Sequence, residues 1–127
     1  MQILAIVGQV IFGIFWIRSG INHLAHVNML TGYAASKKVP LPRTSIIVTG
    51  LLLLVGGVGY ILGLYIWWAT LALIVFLIPT TFMMHNFWTA SDPQARASEQ
   101  VHFMKNMALI GALLMLWSAP MLAYSLF

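Results

Sequence analysis

Several residues in this sequence carry chemistry that hydrocarbon would reject, yet they sit in or against long apolar runs. Arg18, Asn22, His23 and His26 lie toward the end of the first run; His85 and Asn86, with Trp88 just beyond, close the third; His102, Lys105 and Asn106 open the fourth. A charge at the centre of a bilayer costs about 3 kcal/mol or more, and less near an interface, so an ionisable residue at depth points to a site or to a long stem reaching back to the headgroups. Arg18 is the sharpest instance, at about 9 Å inside the end of its span by helical rise. It is expected to share a face with Asn22 and with Gly13 and Gly20, a face that should meet another helix. The acids it could pair with are Asp92 and Glu99, both in the later connection. Arg18 therefore either folds that connection back, receives an anion such as a lipid phosphate or a ligand oxygen, or snorkels.

Imidazole, amide and guanidinium groups together suit the polar head of an amphipathic molecule. Arg18, Asn22, His23, His85, Asn86, Trp88, His102, Lys105 and Asn106 form the candidate ligand-binding set, with Trp88 placed to stack. His102, Lys105 and Asn106 stand at i, i+3 and i+4 and so share one helix face, which is also what a helix entering the membrane with a last wet face would show. Four histidines could ligate zinc, copper or iron. Against that, no carboxylate is expected beside them to orient the rings, and Arg18 and Lys105 would repel a cation, so no metal site is assigned. No catalytic residue is identifiable. The absence of cysteine excludes thiol redox chemistry, thiolate metal sites and cysteine-linked haem.

The elements that must position these groups follow from the shortage of charge. Of 127 residues, 61% are hydrophobic and 6% charged, where a soluble domain carries about a quarter charged. Such a chain needs lipid as its solvent. Four runs, about residues 3–24, 45–64, 65–87 and 102–124, are each long enough to cross a hydrocarbon core about 30 Å thick. The expected fold is an all-α integral membrane four-helix bundle forming a single domain over residues 1–127. Met29, Leu30, Tyr33 and Ala34 recur at helical spacing between spans one and two, which predicts a short interfacial helix ended by Val39-Pro40-Leu41-Pro42. Asp92 before Pro93 reads as a helix cap and first position, so the last helix should start before the membrane does.

Lys37, Lys38 and Arg43 occupy the first long connection with Arg18 just before it; Arg96 lies in the second with Lys105 just after. No Lys or Arg marks the termini or the turn between spans two and three, so the positive-inside rule places both long connections in the cytoplasm and both termini outside. The polar residues would then gather at the cytoplasmic face. Basic residues confined to span ends do not make a nucleic-acid surface. The first run lacks a preceding basic residue and a following small-residue cleavage site, and is read as a retained helix. Gly59-xxx-Gly63 and Ala108-xxx-Ala112 mark expected close helix contacts, and Pro79 and Pro120 expected kinks.

Three stretches in order carry a family resemblance: Phe15-Trp16-Ile17-Arg18-Ser19-Gly20-Ile21-Asn22-His23-Leu24 running on to Tyr33-Ala34 and Val39-Pro40-Leu41-Pro42; His85-Asn86-Phe87-Trp88; and Phe103-Met104-Lys105-Asn106-Met107-Ala108-Leu109-Ile110-Gly111. Nearly the whole chain resembles the DoxX family of four-helix bacterial and archaeal membrane proteins. The resemblance implies a plasma (inner) membrane location and an association with redox or oxidative-stress systems, the family being named for a membrane component of archaeal thiosulfate:quinone oxidation. It makes quinone the implied cofactor, and membrane lipids and a redox-complex protein the implied partners. With no flavin or dinucleotide fingerprint, the chain is not a complete oxidoreductase. The expectation is a membrane subunit or binding module holding a quinone or lipid headgroup; the alternative is a non-enzymatic scaffold or assembly factor that docks a cytoplasmic partner through the same cluster. A carrier or channel is the weaker reading, because the outer halves of the spans offer few polar groups for a path.

Overall fold

A computed structural model describes residues 2–118 and shows an all-α bundle. The elements are α1 (Gln2–Ala25), α2 (Val27–Ser36), α3 (Pro42–Leu62), α4 (Ile66–Met84), a single 3-10 turn (Phe87–Thr89) and α5 (Pro93–Ser118). Four helical segments, Ile3–Ala25, Pro42–Leu62, Ile66–Thr89 and Pro93–Ser118, are long and apolar enough to cross a membrane. The kink expected at Pro120 and the end of span four fall outside the described residues. Pro79 lies inside α4, which continues through it to Met84. The fourth helix does begin early: Asp92 Oδ2 accepts the Ala95 backbone N–H at 2.9 Å, and Pro93 takes the first helical position.

Trp16, Leu53, Tyr60, Leu73, Leu77 and Leu113 are essentially fully buried and hold the middle of the bundle together. Residues of the same type, among them Ile3, Ile11, Val55, Trp68 and Met115, point outward and are exposed. Helices apolar on every side are at ease only where the outside is also apolar, which is the lipid-solvated case. α3 is central, packing against α1, α2 and α4, while α5 packs on α4.

The closest helix contact is between α1 and α3 and is made by glycines spaced seven apart on both. A Cβ at Gly13 would lie 2.8 Å from the Gly57 carbonyl, and one at Gly57 would lie 2.7 Å from the Gly13 carbonyl. At the other end of the contact a Cβ at Gly20 would lie 2.8 Å from the Gly50 carbonyl. The helices are therefore antiparallel and touch backbone to backbone, a small-residue interface of the kind that associates helices where lipid removes the hydrophobic drive. Of the pair expected to make such a contact, Gly59 does approach Ala69, but Gly63 ends α3 in the left-handed region (φ 67°) and sets the turn into α4. Ala108 is exposed, so the expected pair on the last helix does not form a contact face.

The face of α1 bearing Gly13 and Gly20 is not the face bearing Arg18. Residues two or five apart on a helix lie on opposite sides, so Arg18 is turned away from α3 and is exposed. The expectation of a shared glycine–arginine face is corrected accordingly.

Since consecutive spans run antiparallel, both long connections lie at one end of the bundle and the Gly63–Tyr65 turn at the other. α2 ends in a Schellman motif: Val39 N–H donates to the Ala34 carbonyl at 3.1 Å and Lys38 N–H to the Ala35 carbonyl at 3.0 Å, with Lys38 in the left-handed region at φ 60°. The turn throws the chain into Pro40-Leu41-Pro42 and back down α3. Polar groups are not confined to this end. Toward the other, Gln9 is buried and its amide donates to the Tyr60 carbonyl at 2.8 Å, while the Tyr60 and Thr70 hydroxyls hydrogen-bond each other. That network ties α1, α3 and α4 together at a depth the sequence reading left apolar.

A candidate ligand cavity at the loop end of the bundle

All four long helices and α2 leave a space between them at the end that carries the long connections. It has a volume of about 640 Å³. Phe15, Trp16, Ser19 and His23 form the α1 wall; Leu30, Tyr33 and Ala34 of α2, with Val39, Pro40 and Leu41, form a cover. α3 contributes Thr44, Ser45, Thr49 and Leu52 among others, α4 Phe76, Leu77, Pro79, Thr80 and Met83 among others, and α5 Lys105, Asn106 and Leu109. The volume falls in the range of small-molecule sites, and the pattern of mostly apolar walls with a few polar groups is the usual one.

The polar groups come from each wall. Asn106 is buried to within 4% of its surface, lines the cavity, and makes no side-chain hydrogen bond among the described residues. Its amide atoms are not sealed off, so they open onto the cavity and can be met by whatever fills it. Trp16 is also buried in the cavity wall, and its indole Nε1 is unpartnered. His23 Nδ1 lies 2.9 Å from the Ser19 carbonyl, and its ring meets Phe76 edge-on. The Lys105 ammonium sits 5.8 Å from the centre of the Phe15 ring, a cation–π distance that holds the charge against the cavity wall.

A hydrogen-bonded rim crosses the mouth. Glu99 on α5 accepts from Tyr33 on α2 through Oε1 at 2.7 Å and bonds His85 Nδ1 through Oε2 at 2.9 Å. The His85 ring stacks on His102 with centroids 5.0 Å apart, and Lys37 donates to Asn86 Oδ1 at 2.8 Å. Burial, and secondarily the bond to Glu99 and its negative charge, raise the Tyr33 phenol well above its ordinary range, so it remains a neutral donor. The rim fastens α2 and its following loop to α4 and α5.

Of the residues singled out from sequence, His23, His85, Lys105 and Asn106 line the cavity. Asn86 and His102 belong to the rim through Lys37 and His85. Arg18 and Asn22 are exposed on α1 and line no part of the cavity. Trp88 is 48% exposed and packs edge-on against Phe87 and Phe103, outside the cavity. Of the alternatives open to Arg18, pairing with an acid is not formed among the described residues: Glu99 bonds Tyr33 and His85, and Asp92 caps α5. The expectation that no carboxylate stands by the histidines is overturned by the same contact. Among the described residues no three His, Asp or Glu side chains converge as metal ligands. Sequence reading missed Glu99, Tyr33 and Trp16. A signal existed for the first: Glu99, His102 and Asn106 stand at i, i+3 and i+7 on one face of α5.

The matching family model is DoxX, and it aligns with residues 4–86. The chain belongs to the DoxX family. Within this DoxX chain the match takes in α1 to α4, with all of the α1–α3 glycine contact and the cover over the cavity, and ends at Asn86. α5, which brings Glu99, Lys105 and Asn106 to the site, lies beyond the matched residues, as does the Phe103–Gly111 stretch. The chain matches no curated protein and no solved structure.

Proposed function

We propose that this protein is a membrane binding module that holds one amphipathic molecule, apolar body in the cavity and polar head against Asn106, His23, His85 and Lys105. The observation that carries the reading is a cavity of about 640 Å³ with mostly apolar walls, onto which the Asn106 carboxamide opens without a side-chain hydrogen bond of its own. A polar group without a partner is stable there only if something else supplies one. A quinone or a lipid headgroup has the right division into apolar body and polar end, and either would reach the site from the bilayer. The role is that of a redox-associated subunit only if the occupant is a quinone. The positive-inside rule puts the cavity in the cytoplasmic leaflet of the plasma membrane.

The test is retention. Protein purified in mild detergent should carry a defined amphiphile detectable by mass spectrometry. A Thr80→Trp variant, which fills the cavity from α4, should lose it while keeping its helical content. An identical lipid and quinone complement in both preparations would overturn the reading.

A further inference from the structure

Resting on the cavity reading above, we infer that the occupant's head bears hydroxyl groups that donate hydrogen bonds, in preference to a head offering only carbonyl or ether oxygens. Several hydrogens on the wall are already spent on partners within the protein. A backbone carbonyl only accepts, so the His23 ring hydrogen is on Nδ1, facing the Ser19 carbonyl at 2.9 Å. The neutral ring then presents Nε2 as a bare acceptor. His85 is fixed in the same sense. Its Nδ1 faces a Glu99 oxygen at 2.9 Å, and the other Glu99 oxygen takes the Tyr33 hydroxyl hydrogen at 2.7 Å. A carboxylate accepting on both sides leaves neutral His85 with its lone pair on Nε2.

The hydroxyls on the wall repeat the pattern. Ser45 Oγ donates to the Pro40 carbonyl at 2.8 Å, and Thr49 Oγ1 donates to the Ser45 carbonyl at 2.7 Å. Each has spent its one hydrogen and keeps its lone pairs. His23, Tyr33, Ser45, Thr49 and His85 all line the cavity, so the wall is rich in acceptors. The donors set against them are the Lys105 ammonium, the Asn106 amide and the Trp16 indole N–H, with the hydroxyls of Ser19, Thr44 and Thr80 able to donate or accept. A head with oxygen lone pairs alone could engage those donors but would leave the Nε2 atoms of both imidazoles unmet. A hydroxyl head can donate to an imidazole and accept from Asn106 or Lys105 at once. An ammonium head would also donate, but it would meet the fixed positive charge of Lys105.

Glu99 is on this view a positioning residue. It touches no occupant and acts by holding the hydrogen of His85 away from the free Nε2.

The experiment uses the full chain in detergent and two probes that differ by one O-methyl group, 4-decylphenol and 4-decylanisole, followed by quenching of tryptophan fluorescence, Trp16 being in the wall. Each hydrogen bond gained is worth about 1 kcal/mol net, so the phenol should bind about 5-fold or more tighter than its methyl ether. Glu99→Gln, which lets the His85 hydrogen move to Nε2, should narrow that ratio by weakening phenol binding and tightening anisole binding. Circular dichroism melts confirm that the variant is folded. A decyl hydroquinone and a diacylglycerol then separate a redox-active from a lipid source of the hydroxyl: tighter binding of one names the source. Equal binding of phenol and anisole would overturn the donor requirement and leave the cavity reading standing; no binding of either would overturn both.

Discussion

Asn106 shows how a site can weaken the protein that holds it. Its carboxamide opens onto the cavity without a protein partner, where a side chain of similar size and no polar atoms would bury apolar surface instead. Asn106→Leu should therefore raise the stability of the empty protein by about 1 kcal/mol, read as a higher midpoint in dodecyl sulfate titration, while co-purified amphiphile falls. Gly57 presents the opposite case. A Cβ there would meet the backbone at Gly13 O and Ile17 N, at 2.7 and 2.8 Å, and neither atom belongs to a side chain that could swing aside. Gly57→Val should cost about 1–3 kcal/mol by forcing α1 from α3, and the same titration should show the midpoint drop. A neutral result would mean the helices part easily.

At the scale of elements, α2 and its loop decide whether the cavity is covered. They are held by the Tyr33–Glu99 bond, the Lys37–Asn86 bond and the Schellman turn. That turn puts a lysine where glycine is favoured, and a left-handed backbone costs a non-glycine residue about 1–2 kcal/mol. Lys38→Gly should recover up to about 1 kcal/mol, since part of the gain is lost to the freer unfolded chain. Slower amide hydrogen exchange across Val27–Ser36 would show it. Faster exchange there would mean that the lysine contributes through contacts of its side chain. α5 plays a complementary part. It carries Glu99, Lys105 and Asn106 to the site from outside the region matched by the family, so the polar chemistry of the cavity depends on the element least covered by the family match.

For the molecule as a whole, orientation is the property to test. All six Lys and Arg residues belong to the end with the long connections or lie within reach of it. A chain without cysteine makes the measurement clean. In intact cells or oriented vesicles, Ser91→Cys should react with a membrane-impermeant maleimide only from the cytoplasmic side, and Tyr65→Cys only from outside. Labelling of Ser91→Cys from outside would invert the topology and move the cavity to the opposite leaflet.

The sequence by itself determined the class of the molecule: four apolar spans, a short helix between the first two, found at Val27–Ser36, and a capped start to α5. Those features are local, since span length, apolar run and cap chemistry depend on neighbours along the chain. What only the tertiary structure decided was who faces whom. Arg18, the most conspicuous residue by depth, turned outward because the glycines that seat α1 on α3 occupy the opposite side. Glu99, read as a loop acid, became the bridge between Tyr33 and His85, and Gln9 found a buried partner in Tyr60. The reason is rotational. An apolar helix in lipid has no polar face to fix its azimuth, so which side meets a neighbour is set by backbone-to-backbone fit at small residues, a property of two helices together that neither sequence states alone.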